Sequence, residues 1–115
     1  MGGKVDVYIV DVYSVDMIGK LEELTLLACI RAGEDAVPSA IYEVMMVVGQ
    51  PIAGFGAVYT TLGRLAKKGL LRERSVTDAQ GRERRSFSIT VSGRAALNES
   101  VGASTRIAGI AWAGV

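Results

Sequence analysis

The sequence predicts a mainly α domain carrying one small β-hairpin, an α+β chain. Three observations predict it. Three segments with apolar residues at helical spacing follow one another between residues 20 and 68. The period then changes to two on either side of a polar turn containing Gly81, and a helical period returns after Thr90. Three helices, a two-stranded ribbon and a further helix is the order of a winged helix-turn-helix.

The first helix runs from about Lys20 to Ala32, "KLEELTLLACIRA", with apolar residues around most of its circumference, and Gly33 is placed to end it. It reads as a central helix enclosed by other elements. Pro38 suits the first turn of a second helix, where its missing N–H costs nothing. Ile41, Val44, Met45 and Val48 give that helix its buried stripe before Gly49 and Pro51 stop it, and the Met45–Met46 pair reads as core filling.

Gly54 is the N-cap of the third helix. Its buried side is expected to carry Phe55, Val58, Leu62 and Leu65, and its outer side Ala57, Thr60, Thr61, Arg64, Lys67 and Lys68. Gly69 supplies a left-handed terminal residue and Leu70 the apolar contact that seals such an end. "LLRERSV" and "RRSFSIT" read as strands, the second with Phe87 and Ile89 on one face and Ser86, Ser88 and Thr90 on the other. Thr90 then caps a last helix, in which Leu97, Val101, Ile107 or Ala108, and Ala111 or Trp112 keep one face apolar. Residues 1–16 fit a strand or a helical stripe equally, and Met17 is an equally good starting residue. The chain thus divides into an extension of uncertain structure (1–16), a winged helix-turn-helix domain (17–90) and a C-terminal dimerisation helix (91–115).

The formal charge of +1 conceals a segregation: residues 1–63 hold three basic against eight acidic side chains, whereas residues 64–94 hold nine basic against three acidic. A local basic patch can meet a polyanion while an acidic flank faces elsewhere. The sequence has no His and one Cys, which removes most zinc sites, the His-dependent nucleophile arrangements and any intrachain disulfide. No enzyme, metal or cofactor is expected. Cys29 reads as a buried, inert thiol suited to a reducing cytoplasm. Asp6, Asp11 and Asp16 interrupt every apolar stretch of the N-terminus before a secretory signal can form, and no run is long enough to span a bilayer.

"IGKLEELTLLACIRAGEDA", "GAVYTTLGRLAKKGLLRER" and "GRERRSFSITVSGRAAL", in that order, resemble the PadR family of bacterial transcriptional regulators over roughly residues 18–98. The most specific part is Gly56 to Leu62 leading into Arg64-Leu65 and Lys68-Gly69-Leu70. Val37-Pro38 and Gly54 depart from the family's usual Tyr-Gly and Ser at those positions. The resemblance implies a homodimeric DNA-binding regulator, a repressor in direction, with a hydrophobic or aromatic small-molecule effector held between paired last helices.

A recognition helix needs an apolar stripe backed by small polar and basic side chains. On this reading Gly56, Ala57, Thr60 and Thr61 let the helix approach base edges, Arg64 reaches a guanine or a phosphate, and Lys67 and Lys68 meet phosphate. Tyr59 either packs or bonds a phosphate. Arg82, Arg84 and Arg85 at the ribbon tip read a neighbouring minor groove or its phosphates. Dimer contacts are expected from Leu97, Val101, Ile107, Ala108, Ala111 and Trp112. A winged-helix module that holds a partner protein and never meets DNA is the alternative.

Overall fold

The computed structural model describes residues 17–47 and 53–113. The expectations for residues 1–16, Val48, Gly49 and Pro51 lie outside them. The elements are α1 (Lys20–Ala32), α2 (Pro38–Met46), α3 (Phe55–Lys67), β1 (Leu71–Thr77), β2 (Glu83–Ile89) and α4 (Val91–Ala113). This is the winged helix-turn-helix order.

Local signals account for most boundaries. The Gly19 N–H donates to the Glu22 carboxylate (2.9 Å), which satisfies one orphan amide at the start of α1. Gly33, at φ +99°, ends that helix. Pro38 sits in the first turn of α2. At the end of α3 the Gly69 N–H bonds the Ala66 carbonyl and the Leu70 N–H bonds the Leu65 carbonyl, with Gly69 at φ +79°. These are the two bonds of a Schellman end. Thr90 then closes the hairpin onto α4: its Oγ1 donates to the Gly69 carbonyl (2.7 Å) and accepts from the Gly93 N–H (3.0 Å).

The core lies between α1, α2, α3 and β2, where Leu26, Ile41, Val58, Leu62, Leu65 and Phe87 are sealed from solvent. β1 and β2 are antiparallel, Leu71 opposite Ile89 and Thr77 opposite Glu83. Ala36 exchanges two backbone hydrogen bonds with Phe87, 3.1 and 2.8 Å, so β2 has a neighbour on both edges.

Ser86 and Ser88 lie on the face opposite Phe87 and Ile89, as expected, and both are buried; the Ser86 hydroxyl donates to the Arg74 carbonyl (3.0 Å), and the Ser88 hydroxyl accepts from the Asp35 N–H (2.7 Å). The α1–α2 connection covers that face, which alternation along one strand does not reveal. Three expectations about burial are corrected. α1 is not enclosed all round, because Leu27 and Ile30 remain exposed. Met46 is exposed while Met45 joins the core. Phe55 lies half-exposed at the helix start, edge-on to Tyr42 with ring centroids 5.4 Å apart.

Candidate nucleic-acid interface

Each turn of α3 places side chains on two opposed faces. Val58, Leu62 and Leu65 anchor the inner one, and Gly56, Ala57, Tyr59, Thr60, Arg64 and Lys67 are exposed. Thr61 is a correction to the outer face. It is only 2% exposed, and its hydroxyl donates to the Ala57 carbonyl (2.8 Å). At about 100° per residue it stands roughly 60° from Val58 and 40° from Leu65, within the buried arc.

Ion pairing then engages most of the basic residues, although their side chains stay largely exposed. Lys68 is bonded to Glu22 of α1 at 2.7 Å, so it ties α3 to α1 rather than standing clear for a phosphate. Arg72 and Arg74 of β1 meet Glu34 and Asp35 at 3.5 and 3.8 Å. At the ribbon tip Asp78 accepts from the Gln80 and Arg82 amides (2.9 Å each), and it lies 3.3 Å from Arg82 Nε and 3.5 Å from Arg84 Nη1. The Arg82 amide is the largest cause holding the Asp78 carboxyl below its ordinary pKa. Arg82 still keeps a side chain 70% exposed. Among the described residues, six of the nine basic side chains of 64–94 have an acidic partner within 4.0 Å; Arg64, Lys67 and Arg94 have none.

Arg85 is not at the tip. It lies within β2 opposite Ser75, on the sheet face that also carries Glu73 and Phe87. Its Nε and Nη2 bond the two Glu73 carboxylate oxygens at 2.6 and 2.9 Å, and its guanidinium carbon lies 5.1 Å from the centre of the Tyr59 ring. Tyr59 therefore packs against an arginine of this chain. Between α3 and this face of the hairpin runs an open groove of about 800 Å³, lined by Thr60, Gly63, Arg64, Ala66, Lys67, Glu73 and Arg85. Gly63 and Glu73 escaped the sequence reading. Their signal lay in the hairpin register, which puts Glu73 and Arg85 on one face.

α4 leaves the body of the domain. Leu97, expected at a dimer contact, is 4% exposed and belongs to the chain's own core. Ser100 reaches back to the buried Glu23 of α1 at 2.5 Å. Beyond it Val101, Ile107, Ala111 and Trp112 are exposed and Ala108 is half-buried. Ile110, missed because it stands off the predicted stripe, is the most exposed large apolar residue of the distal turns at 75%, beside Trp112 at 74% and Ile107 at 65%. Cys29 is buried, which pushes its thiol pKa up to about 12. No helix among the described residues is long and apolar enough to cross a membrane.

The chain is similar to several solved winged-helix regulators. A PadR-like transcription factor from Bacteroides fragilis is 24% identical, with 89% of this chain and 94% of that one covered and a TM-score of 0.69. A PadR family regulator from Clostridium difficile R20291 is 17% identical, with 80% and 94% covered and a TM-score of 0.67. A PadR family regulator from Eggerthella lenta DSM 2243 is 22% identical, with 89% and 85% covered and a TM-score of 0.61. No curated protein matches the sequence. The profile of the transcriptional regulator PadR-like family matches residues 38–99, more than half of the chain and the whole of α2, α3, the ribbon and the start of α4. With the same elements in the same order, and Thr60, Arg64 and Lys67 on the open side of α3, the chain belongs to the PadR-like family of transcriptional regulators.

Proposed function

We propose that the protein is a homodimeric, non-catalytic repressor that reads a pseudo-palindromic operator with α3 and the wing. The observation that carries this reading is the pair Arg64 and Lys67. They are the only basic residues of α3 and the wing without an acidic partner among the described residues, and they share one exposed face with Thr60. A groove-filling helix needs uncommitted donors on its outer face, and these supply them. Gly56, Ala57 and Thr60 keep that face low enough for close approach, and Arg82 extends the surface toward a neighbouring minor groove. Residues 17–90 form the reading unit.

The second half of the proposal rests on unpartnered apolar surface. Glu23, Leu27 and Ile30 lie at i, i+4 and i+7 on one face of α1. α4 meets that face at Glu23 through Ser100 and leaves Leu27 and Ile30 uncovered. On α4 Val101, Ile107, Ile110 and Trp112 are exposed as well, and the distal turns, apolar on more than one side, are of the kind that enter an interface. A second copy of α4 is its occupant, and a flat hydrophobic effector would sit beside Trp112, the chain's only tryptophan.

Selection of bound duplexes from a random pool tests the reading. The expected result is a two-fold sequence with half-sites about 34 Å apart. Arg64→Ala should cost about 1 to 3 kcal/mol of specific affinity, and Lys67→Ala should reduce the salt slope by about 0.9 for each phosphate it no longer neutralises. Wild-type affinity in the Arg64→Ala protein, or binding that does not weaken with salt, would favour a protein-binding module instead.

A further inference from the structure

Arg85 presents an unusual set of surroundings for a wing arginine. Glu73 occupies the edge of its guanidinium with two hydrogen bonds at 2.6 and 2.9 Å. Tyr59 and Phe87 lie 5.1 and 5.3 Å from its central carbon. On the α3 side the guanidinium lies beside Gly63, where an added Cβ would stand at an ordinary contact distance of 3.5 Å from Nη2. Tyr59 and Gly63 are four residues apart, on one face of α3. One side chain of β2 is thus bound to β1 and laid across the recognition helix. Two strands alone are marginally stable, so the direction in which the ribbon leaves the domain depends on such ties.

We propose that Arg85 is a positioning residue that sets the angle between the wing and α3, remains on Glu73 when the duplex binds, and so presents helix and wing to DNA as one preassembled body. This deepens the DNA-binding reading and rests on it. A phosphate could take the Nε–Nη2 edge of Arg85 only by displacing both bonds to Glu73. What Arg85 contributes is geometry: if the wing turns, Arg82 no longer falls on its groove when Arg64 is on its base. Such an error weakens operator binding, in which every contact must register at once, far more than binding to random duplex, which is sequence-independent charge attraction. Lysine cannot replace it, because a point charge lacks the planar fork that meets a carboxylate and an aromatic face together.

The test compares wild type, Arg85→Met, Arg85→Lys and Glu73→Gln in the full chain, titrated with the selected operator and with random duplex across a salt series. Arg85→Met and Arg85→Lys are both expected to lose at least tenfold in operator affinity and less than threefold on random duplex, with an unchanged salt slope. Glu73→Gln should shift the same ratio in the same direction. A slope smaller by about 1.8 in Arg85→Met, as two fewer neutralised phosphates per dimer would give, overturns the proposal. So does rescue by Arg85→Lys, or tighter operator binding by Glu73→Gln. Amide exchange of residues 73–76 and 83–87 without DNA is expected to quicken in Arg85→Met while α1 stays protected, and unchanged exchange overturns the clamp itself. Because that measurement needs no duplex, it separates failure of the clamp from failure of the DNA-binding reading, which the wild-type titration decides.

Discussion

The Lys68 ammonium lies 2.7 Å from the Glu22 carboxylate, joining the end of α3 to the first turn of α1. Glu22 is buried, and its other carboxylate oxygen accepts from the Gly19 N–H. Removing the lysine would leave a desolvated carboxylate with that amide alone. Lys68→Met is therefore expected to lower unfolding stability by about 1 to 3 kcal/mol, read by urea denaturation, and to leave the salt slope of duplex binding unchanged. A slope that falls while stability holds would return Lys68 to the phosphate-contacting set.

The same pair sets an acid limit. Burial alone would raise the Glu22 pKa, but the Lys68 and Gly19 hydrogen bonds and the charges of Lys68 and Arg64 outweigh it and bring it below the ordinary 4.5. Glu73 is also held below 4.5, chiefly by its hydrogen bond with Arg85. On acidification the unfolded chain takes up these protons first. The contribution of both groups is complete above pH 4.5 and is lost as pH falls through the depressed folded values. The urea midpoint should carry no loss from this pair between pH 7 and 5 and decline below 4.5, less steeply in Lys68→Met. An identical decline in that variant would contradict the assignment.

Gly93 of α4 packs against the turn between α3 and β1 and against the end of β2. A Cβ there would stand 2.1 Å from the Leu70 carbonyl oxygen and 2.8 Å from Ile89 Cγ1. Backbone cannot yield as a flexible side chain can, so Gly93→Ala should destabilise by at least about 2 kcal/mol. Gly63→Ala is the contrast. Its new methyl meets only Arg85 Nη2, at an ordinary 3.5 Å, and helix propensity favours alanine by up to about 1 kcal/mol. Thermal unfolding of the two variants should move in opposite directions.

If a second copy covers the distal turns of α4, replacing Ile107 and Ile110 together by serine should convert a dimer to a monomer in sedimentation. The wild-type melting temperature should rise with protein concentration and that of the double variant should not. A double variant that keeps the wild-type mass would place the interface elsewhere.

How much of this was legible beforehand follows from the range of each effect. Gly33, Pro38, Gly69 and Thr90 announce helix ends because capping joins residues only a few positions apart. The Val58, Leu62 and Leu65 stripe announces the inner face of α3 for the same reason. Thr61 was misplaced because a polar residue inside a buried arc can satisfy its hydroxyl on the preceding turn, and polarity alone does not reveal that. That the Ser86 and Ser88 face is buried was not legible along the strand, because Ala36 and the connection around it, some fifty residues earlier, close over β2.

By itself, the sequence determined the succession of helices and strands, the local signals at most of their ends, and which side of α3 is anchored. Only the tertiary structure decided which cations remain uncommitted. The run of nine basic residues in 64–94 is a fact of composition, but Lys68 finds Glu22 46 positions away, and Arg74 finds Asp35 only because the sheet packs beside the α1–α2 connection. Periodicity and capping act through the local backbone and are therefore written along the chain. Charge pairing acts through space, and among the described residues it leaves Arg64 and Lys67 of α3 without an acidic partner.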